Sequence, residues 1–196
     1  MKKILALLLI IILGIFVVQK GNLLNRPAPI VNLPTPTSTP TPTPGLKSEV
    51  HSPDGTMKII MQIKKSTGST TYSFFVAEIS GKNQKFIFTR TLTPESTMSI
   101  PQNSFSPDNK YVYLEEDQGI LQNALVFKTS GETFTKDEQY RDTAAILSQS
   151  KPGYSLKNAT GWASPTLLQT YLQKEDAKSS SYWFVPETKA FIGPVI

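Results

Sequence analysis

The chain has 196 residues with 20 basic and 15 acidic side chains, a formal charge of +5, 15 prolines and no cysteine. Without cysteine there are no disulfides, no thiol nucleophile and no lipid-modified cysteine anchor. Lys2, Lys3, Lys20 and Arg26 carry most of the excess charge; from Leu46 onward 16 basic residues face 15 acidic ones, with no basic stripe interleaved with aromatics, which excludes nucleic acid as the expected partner.

Residues 4–18 form an apolar run behind Lys2-Lys3, broken only by Gly14. Its length suits a hydrophobic helix that acts as a signal anchor or as the core of a signal peptide. The following Val17-Val18-Gln19-Lys20-Gly21 lacks a pair of small residues for cleavage, so an uncleaved single-pass anchor is the leading expectation and a cleaved, secreted form the alternative. The expected organisation is residues 1–20 as anchor or signal peptide, residues 21–46 as linker and residues 47–196 as a β domain outside the cytoplasm. Within the linker, residues 27–44 hold seven prolines alternating with threonine. Such a run resists helix and sheet and favours an extended polyproline II stalk.

Beyond the stalk a phrase recurs. His51-Ser52-Pro53-Asp54-Gly55 precedes an apolar run over residues 57–63, Phe105-Ser106-Pro107-Asp108-Asn109 precedes residues 111–114, and Ala163-Ser164-Pro165 precedes residues 167–172. The serines lie at 52, 106 and 164, intervals of 54 and 58. Ser-Pro-Asp-Gly is turn chemistry: proline fixes φ, aspartate accepts backbone bonds and glycine permits positive φ. In the first unit Ile59, Met61 and Ile63 alternate with polar neighbours, Ile60 being the exception, and strand-forming runs follow over residues 72–79 and 85–91. That period of two predicts an antiparallel meander. The second unit repeats the order with residues 111–114 and 124–127 and a third run starting at Phe134. The third has residues 167–172, 182–185 and 190–192. Residues 137–148 interrupt the β pattern and predict one short inserted helix, ended by Pro152-Gly153.

These phrases resemble the repeat of TolB-like and WD40-like (PD40-type) β-propellers, specifically in the first two copies and weakly in the third, where aspartate and glycine are missing. The resemblance implies an all-β fold of about three antiparallel, propeller-blade-like sheets. Closed propellers use roughly four to eight blades, so the expectation is an open or incomplete propeller, with homodimer closure as the disfavoured alternative. The resemblance also implies a binding face for a protein, peptide or small ligand, or an accessory role to a peptidase or other envelope hydrolase whose catalytic part is another chain.

The chemistry-bearing residues are sparse. His51 is the sole histidine, and no spacing nominates a nucleophile or orienting acid to serve it. Asp54, Gly55, Asp108 and Asn109 are expected to build turns rather than a cation site. Glu115-Glu116-Asp117 lacks the ligand series of a calcium loop, and no phosphate loop, zinc helix or nucleophile elbow occurs. The expected protein is therefore not an enzyme and carries no cofactor or metal. Trp162 and Trp183 are the candidates for a recognition patch, because flat rings give large contact area at low entropy cost. The expected function is a membrane-tethered, extracytoplasmic binding or scaffolding domain whose partner is an unknown protein, peptide or glycan.

Overall fold

The computed structural model describes residues 45–119, 121–175 and 177–195. The expected hydrophobic helix over residues 4–18 lies outside them, as does nearly all of the linker. Among the described residues no helix is long and apolar enough to cross a membrane.

Twelve strands form three four-stranded antiparallel meanders. Sheet 1 contains β1 (Leu46–His51), β2 (Met57–Ser66), β3 (Ser69–Glu78) and β4 (Lys85–Leu92). Sheet 2 contains β5 (Thr97–Ser99), β6 (Tyr111–Asp117), β7 (Gln122–Lys128) and β8 (Arg141–Asp142). Sheet 3 contains β9 (Tyr154–Ser164), β10 (Leu167–Lys174), β11 (Ser180–Val185) and β12 (Ala190–Val195). The all-β fold of three blade-like sheets is as the sequence predicts, and the sheets do not close into a ring. Each blade has four strands where the sequence marks three. The recurring phrase therefore lies between the first and second strands instead of ahead of the first. The missed strands are edges: β1 is exposed except at Val50, and β5 has three residues. An edge strand buries little, so it leaves no apolar pattern to read.

Two apolar layers hold the blades together. Ile59, Met61, Phe74 and Val76 of sheet 1 meet Val112, Leu114, Leu125 and Phe127 of sheet 2. Tyr111, Tyr113, Ala124 and Val126, from the same two central strands, meet Leu156, Leu168, Leu172, Tyr182 and Phe184 of sheet 3. Sheet 2 is thus buried on both faces, which is why β6 and β7 read as continuous apolar runs while β2 alternates. Ile60, the exception in that alternation, points to the far face of sheet 1, where Glu49 and Phe75 flank it in register and it is nonetheless buried.

Two ionic links cross the same layers. Arg90 of β4 pairs with the buried Glu116 of β6 and donates to Tyr140 Oη at 3.2 Å. Arg141, also buried, pairs with Glu138, donates from Nε to the Pro186 carbonyl at 2.8 Å and lies 4.2 Å from the centre of the Phe134 ring. Lys189 reaches the same Glu138 carboxylate at 2.8 Å. In each link the buried member, Glu116 in the first and Arg141 in the second, gains a counter-charge without which its burial would be costly.

The inserted helix α1 spans Thr143–Ser150, later than expected. Asp142 is its N-cap, accepting from Ala145 N at 2.9 Å. Arg141 and Asp142 are already committed to pairing with Val126 and Leu125, so the helix cannot begin at Asp137. Phe134, expected to open a strand, instead stacks on Tyr111 with centroids 6.1 Å apart and rings 3° from parallel.

Candidate functional site

The first two copies of the phrase fold into the same object. Ser52 N donates to Met57 O and Gly55 N to Ser52 O, both at 2.9 Å; Ser106 N donates to Tyr111 O and Asn109 N to Ser106 O, also at 2.9 Å. Ser52 Oγ accepts from Met57 N at 3.0 Å and donates to Asp54 Oδ1 at 2.7 Å. Ser106 Oγ accepts from Tyr111 N at 3.0 Å and donates to Asp108 Oδ1 at 2.8 Å. The residue closing each turn has positive φ, +68° at Gly55 and +57° at Asn109. That conformation explains glycine in one copy and asparagine in the other. The third phrase differs: Ser164 pairs directly with Leu167, leaving Pro165-Thr166 as a two-residue hairpin. A shorter loop needs neither the aspartate nor the positive-φ residue.

One bond joins the two copies. Asn109 Nδ2 donates to Asp54 Oδ2 at 2.7 Å and to Thr56 Oγ1 at 3.2 Å. With Thr56 also donating to Asp54 Oδ1, from N at 3.0 Å and from Oγ1 at 2.9 Å, the carboxylate accepts from four groups. The bond from Ser52, then those from Asn109 and Thr56, hold Asp54 far below the usual carboxylate range. At Asp108 burial opposes ionisation, but bonds from Ser106 and Lys110 outweigh it and the group is also held low. Carboxylates saturated in this way are poor proton acceptors and have few lone pairs to spare for a cation.

A cleft of about 350 Å³ opens between the end of β1, the segment joining β5 to β6, and strands β9 and β10. Sheet 1 contributes His51 and Pro53, the segment before the second turn contributes Gln102, Asn103, Phe105 and Pro107, and sheet 3 contributes Thr160, Gly161, Trp162 and Gln169. Trp162 is half-buried; its ring stacks on Tyr111 at 5.7 Å and 18°, and its Nε1 donates to the Ser104 carbonyl at 2.9 Å. Register shifts in the β9–β10 pairing bend β9 beside the cleft, a common way to re-aim side chains at a site. Gly161 lies at φ +126°, and a Cβ there would sit 2.9 Å from Asn103 Cβ, so only glycine allows the loop to approach so closely.

Trp183 lies elsewhere. It pairs with Gln169 and Ile192, on the face of sheet 3 turned away from sheet 2, whereas Trp162 packs against the apolar layer between those sheets. The two tryptophans do not form one patch. His51 is exposed at the cleft rim, with Nε2 3.6 Å from Glu49 Oε1. Glu115, Glu116 and Asp117 also disperse: Glu116 pairs with Arg90, Glu115 accepts from Ser99 at 3.4 Å and Asp117 from Gly119 N at 2.8 Å. Burial raises the Glu115 carboxyl above its usual range. Among the described residues no three His, Asp or Glu side chains converge on a metal-sized site.

Sequence reasoning selected Trp162 and missed the rest of the cleft. Gln102, Asn103 and Phe105 come from the segment before the second turn and Gln169 from β10, and no spacing in the sequence links the two, so only the fold brings them together. The chain matches no protein-family model and no curated protein sequence.

Proposed function

We propose that this is a non-catalytic binding or scaffolding domain, held outside the cytoplasm on a proline-rich stalk by an N-terminal membrane anchor, and related in its repeat to the TolB-like and WD40-like propellers. The observation that carries the reading is the cleft at the convergence of three sheets. Its lining of an indole, two prolines and three carboxamides offers apolar faces and hydrogen bonds together, the usual composition of a recognition pocket. Each blade supplies part of it, so the site requires the assembled domain and suits a module whose purpose is to present a surface.

The domain acts as a monomer in this reading. The outer face of sheet 1 carries hydroxyl pairs, Thr71 with Thr91 at 2.8 Å and Ser73 with Thr89 at 3.0 Å. That of sheet 3 carries a Gln169, Tyr171 and Ser181 cluster. Such faces are built for water, and ring closure with a second copy would have to bury them. A monomeric mass by sedimentation of the isolated domain is the expected result.

Proximity labelling at the surface of the cell that makes the protein tests the function. The wild-type chain is expected to label a specific extracytoplasmic partner, Gln102→Arg at the cleft rim to lose it, and Phe86→Ala on the outer face of sheet 1, away from the cleft lining, to keep it. Failure of the wild-type chain to label any specific partner would end the proposal.

A further inference from the structure

The two outer sheets each turn one face to water, and the two faces are built differently. That of sheet 1 is ionic at its edge, where Lys47 and Lys58 reach Glu49 at 3.6 and 3.4 Å, and its hydroxyls bond to one another. Its polar groups already have partners. On the outer face of sheet 3, β10 presents Gln169, Tyr171 and Gln173, and β11 presents Ser181 and Trp183. No position that the register places there is charged, from Asn158 of β9 to Ile192 of β12; Lys157 falls at a register shift in the edge strand. Gln169 is loosely held, its Nε2 3.4 Å from Tyr171 Oη and 3.3 Å from Ser181 Oγ, beyond the length of a good hydrogen bond. It can turn to a better partner at little cost.

The two rings and the two polar groups form a square. Trp183 stands opposite Gln169, and Tyr171 opposite Ser181. The rings therefore lie on one diagonal, about 7–8 Å between strand positions, within the length of a disaccharide. Tyrosine and tryptophan offer large rigid contact area at small entropic cost. A pyranose carries a C–H face that packs on such rings and a rim of hydroxyls that both donate and accept. An amide also does both, and groups that suit water suit sugar hydroxyls for the same reason.

The same features argue against other occupants. Nucleic acids and anionic glycans require cations to neutralise them, and this face has none in register. A protein interface wants an apolar centre, whereas an amide and a hydroxyl share the square with the rings. An open sheet face suits a flat ribbon of equatorially linked sugars, because axially linked glucans coil and need a groove. We infer that the outer face of sheet 3 binds an uncharged, equatorially linked polysaccharide, with Trp183 and Tyr171 stacking on its rings and Gln169, Gln173 and Ser181 taking its hydroxyls. This surface is additional to the cleft, with which it shares Gln169.

The chain has two tryptophans, so its indole N–H groups give two NMR signals, assigned with Trp183→Phe. The full chain, in a detergent without a sugar headgroup, is titrated with cello-, chito- and malto-oligosaccharides. The cello or chito series is expected to move the Trp183 signal saturably at millimolar levels. Trp162, whose Nε1 donates to the Ser104 carbonyl, should stay in place. By calorimetry Trp183→Ala and Tyr171→Ala, checked for folding by circular dichroism, should each weaken binding about tenfold, and Phe86→Ala should not. The absence of a saturable shift overturns the platform, as does unchanged affinity in both ring variants. A shift of Trp162 alone places the sugar in the cleft and also overturns it. So do tighter binding of the malto series, an equal response to polygalacturonate, and a Trp183 signal that moves with protein concentration in the absence of sugar. That last result would put a second copy on the face. A failed titration together with partner labelling that depends on Gln102 removes the platform and leaves the cleft reading standing.

Discussion

The central sheet and its two neighbours share a topology and differ in what their faces meet. In sheet 2, Tyr111, Val112, Tyr113 and Leu114 are all buried, as are Ala124, Leu125, Val126 and Phe127. In sheets 1 and 3 one face is apolar and the other carries lysines, hydroxyls and amides, relieved by Phe75 against Phe86 and by Trp183 beside Ile192. A ring of equivalent blades would require every blade to resemble sheet 2. Only the middle blade does, so among the described residues the apolar stack is bounded on both sides by sheets with one polar face.

The sharpest way to break this comparison is to remove the same side chain from the centre and from an end. Phe127 is 1% exposed between sheets 1 and 2, while Phe86 is 52% exposed on the outer face. Phe127→Ala should cost about 3–5 kcal/mol, enough to unfold a marginal domain. Phe86→Ala should stay within about 1 kcal/mol, since little of its surface leaves water on folding. Chemical denaturation of both variants measures the difference; comparable losses would mean that the outer face is covered as fully as the inner one.

Next in size is the ionic link between centre and end. Arg90→Met leaves Glu116 buried without its cation. About 2–3 kcal/mol is expected, short of the roughly 3–5 of a fully buried pair because part of Arg90 remains in water. Restoring most of that stability with Arg90→Met combined with Glu116→Leu would show that the link serves specificity more than stability.

The same contrast explains what could be read from the sequence. Blade number and strand type were legible because β10 and β11 bury side chains at strand period and the apolar residues of β2 largely alternate, because β6 and β7 stand as short continuous apolar runs, and because Ser-Pro-Asp marks the turns ahead of β2 and β6. The edge strands β1, β5 and β9 were not read as strands. Leu46–His51 has a single buried residue, and β5 is a three-residue strand placed by pairing with Glu115–Asp117. The start of α1 depended on whether Arg141 and Asp142 joined β7, a tertiary choice that helical pattern cannot anticipate. Of the cleft, Trp162 was legible as a recognition residue, and His51, Pro53, Phe105 and Pro107 only as parts of the recurring phrase; Gln102, Asn103 and Gln169 are amides that no periodicity or motif marks.

Acid should separate the turns and the ionic links from the apolar layers. Asp54, Asp108 and Glu138 are all held below their ordinary range in the folded chain. The unfolded chain therefore takes up protons at a higher pH than the folded one. Their contribution is complete above the ordinary carboxylate range near pH 4 and is lost as pH falls through the lowered folded values. Glu115 runs the other way, its raised folded value favouring the native state on acidification. Glu49 and Glu95 are lowered as well, so stability is expected to drop between about pH 5 and pH 3, with five lowered groups outweighing one raised. In Asp108→Asn the drop should be shallower, and in Glu115→Gln steeper. Denaturation midpoints across that pH range decide it.

The smallest effect is the most specific to the repeat. Asn109 occupies the position that Gly55 holds in the first copy, and its positive φ is a strain glycine would relieve. Asn109→Gly removes that strain, worth about 1 kcal/mol. It also removes the solvent-exposed bond to Asp54, a loss that opposes the gain. The two terms nearly cancel, so the single variant should be close to neutral. Asp54→Ala lowers stability in the wild-type background, and its effect should shrink when Asn109 is already glycine. A double-mutant cycle isolates that shared part. Additive behaviour would mean that each turn is held only by its own serine and aspartate, and that the bond between copies contributes nothing to joining the first blade to the second.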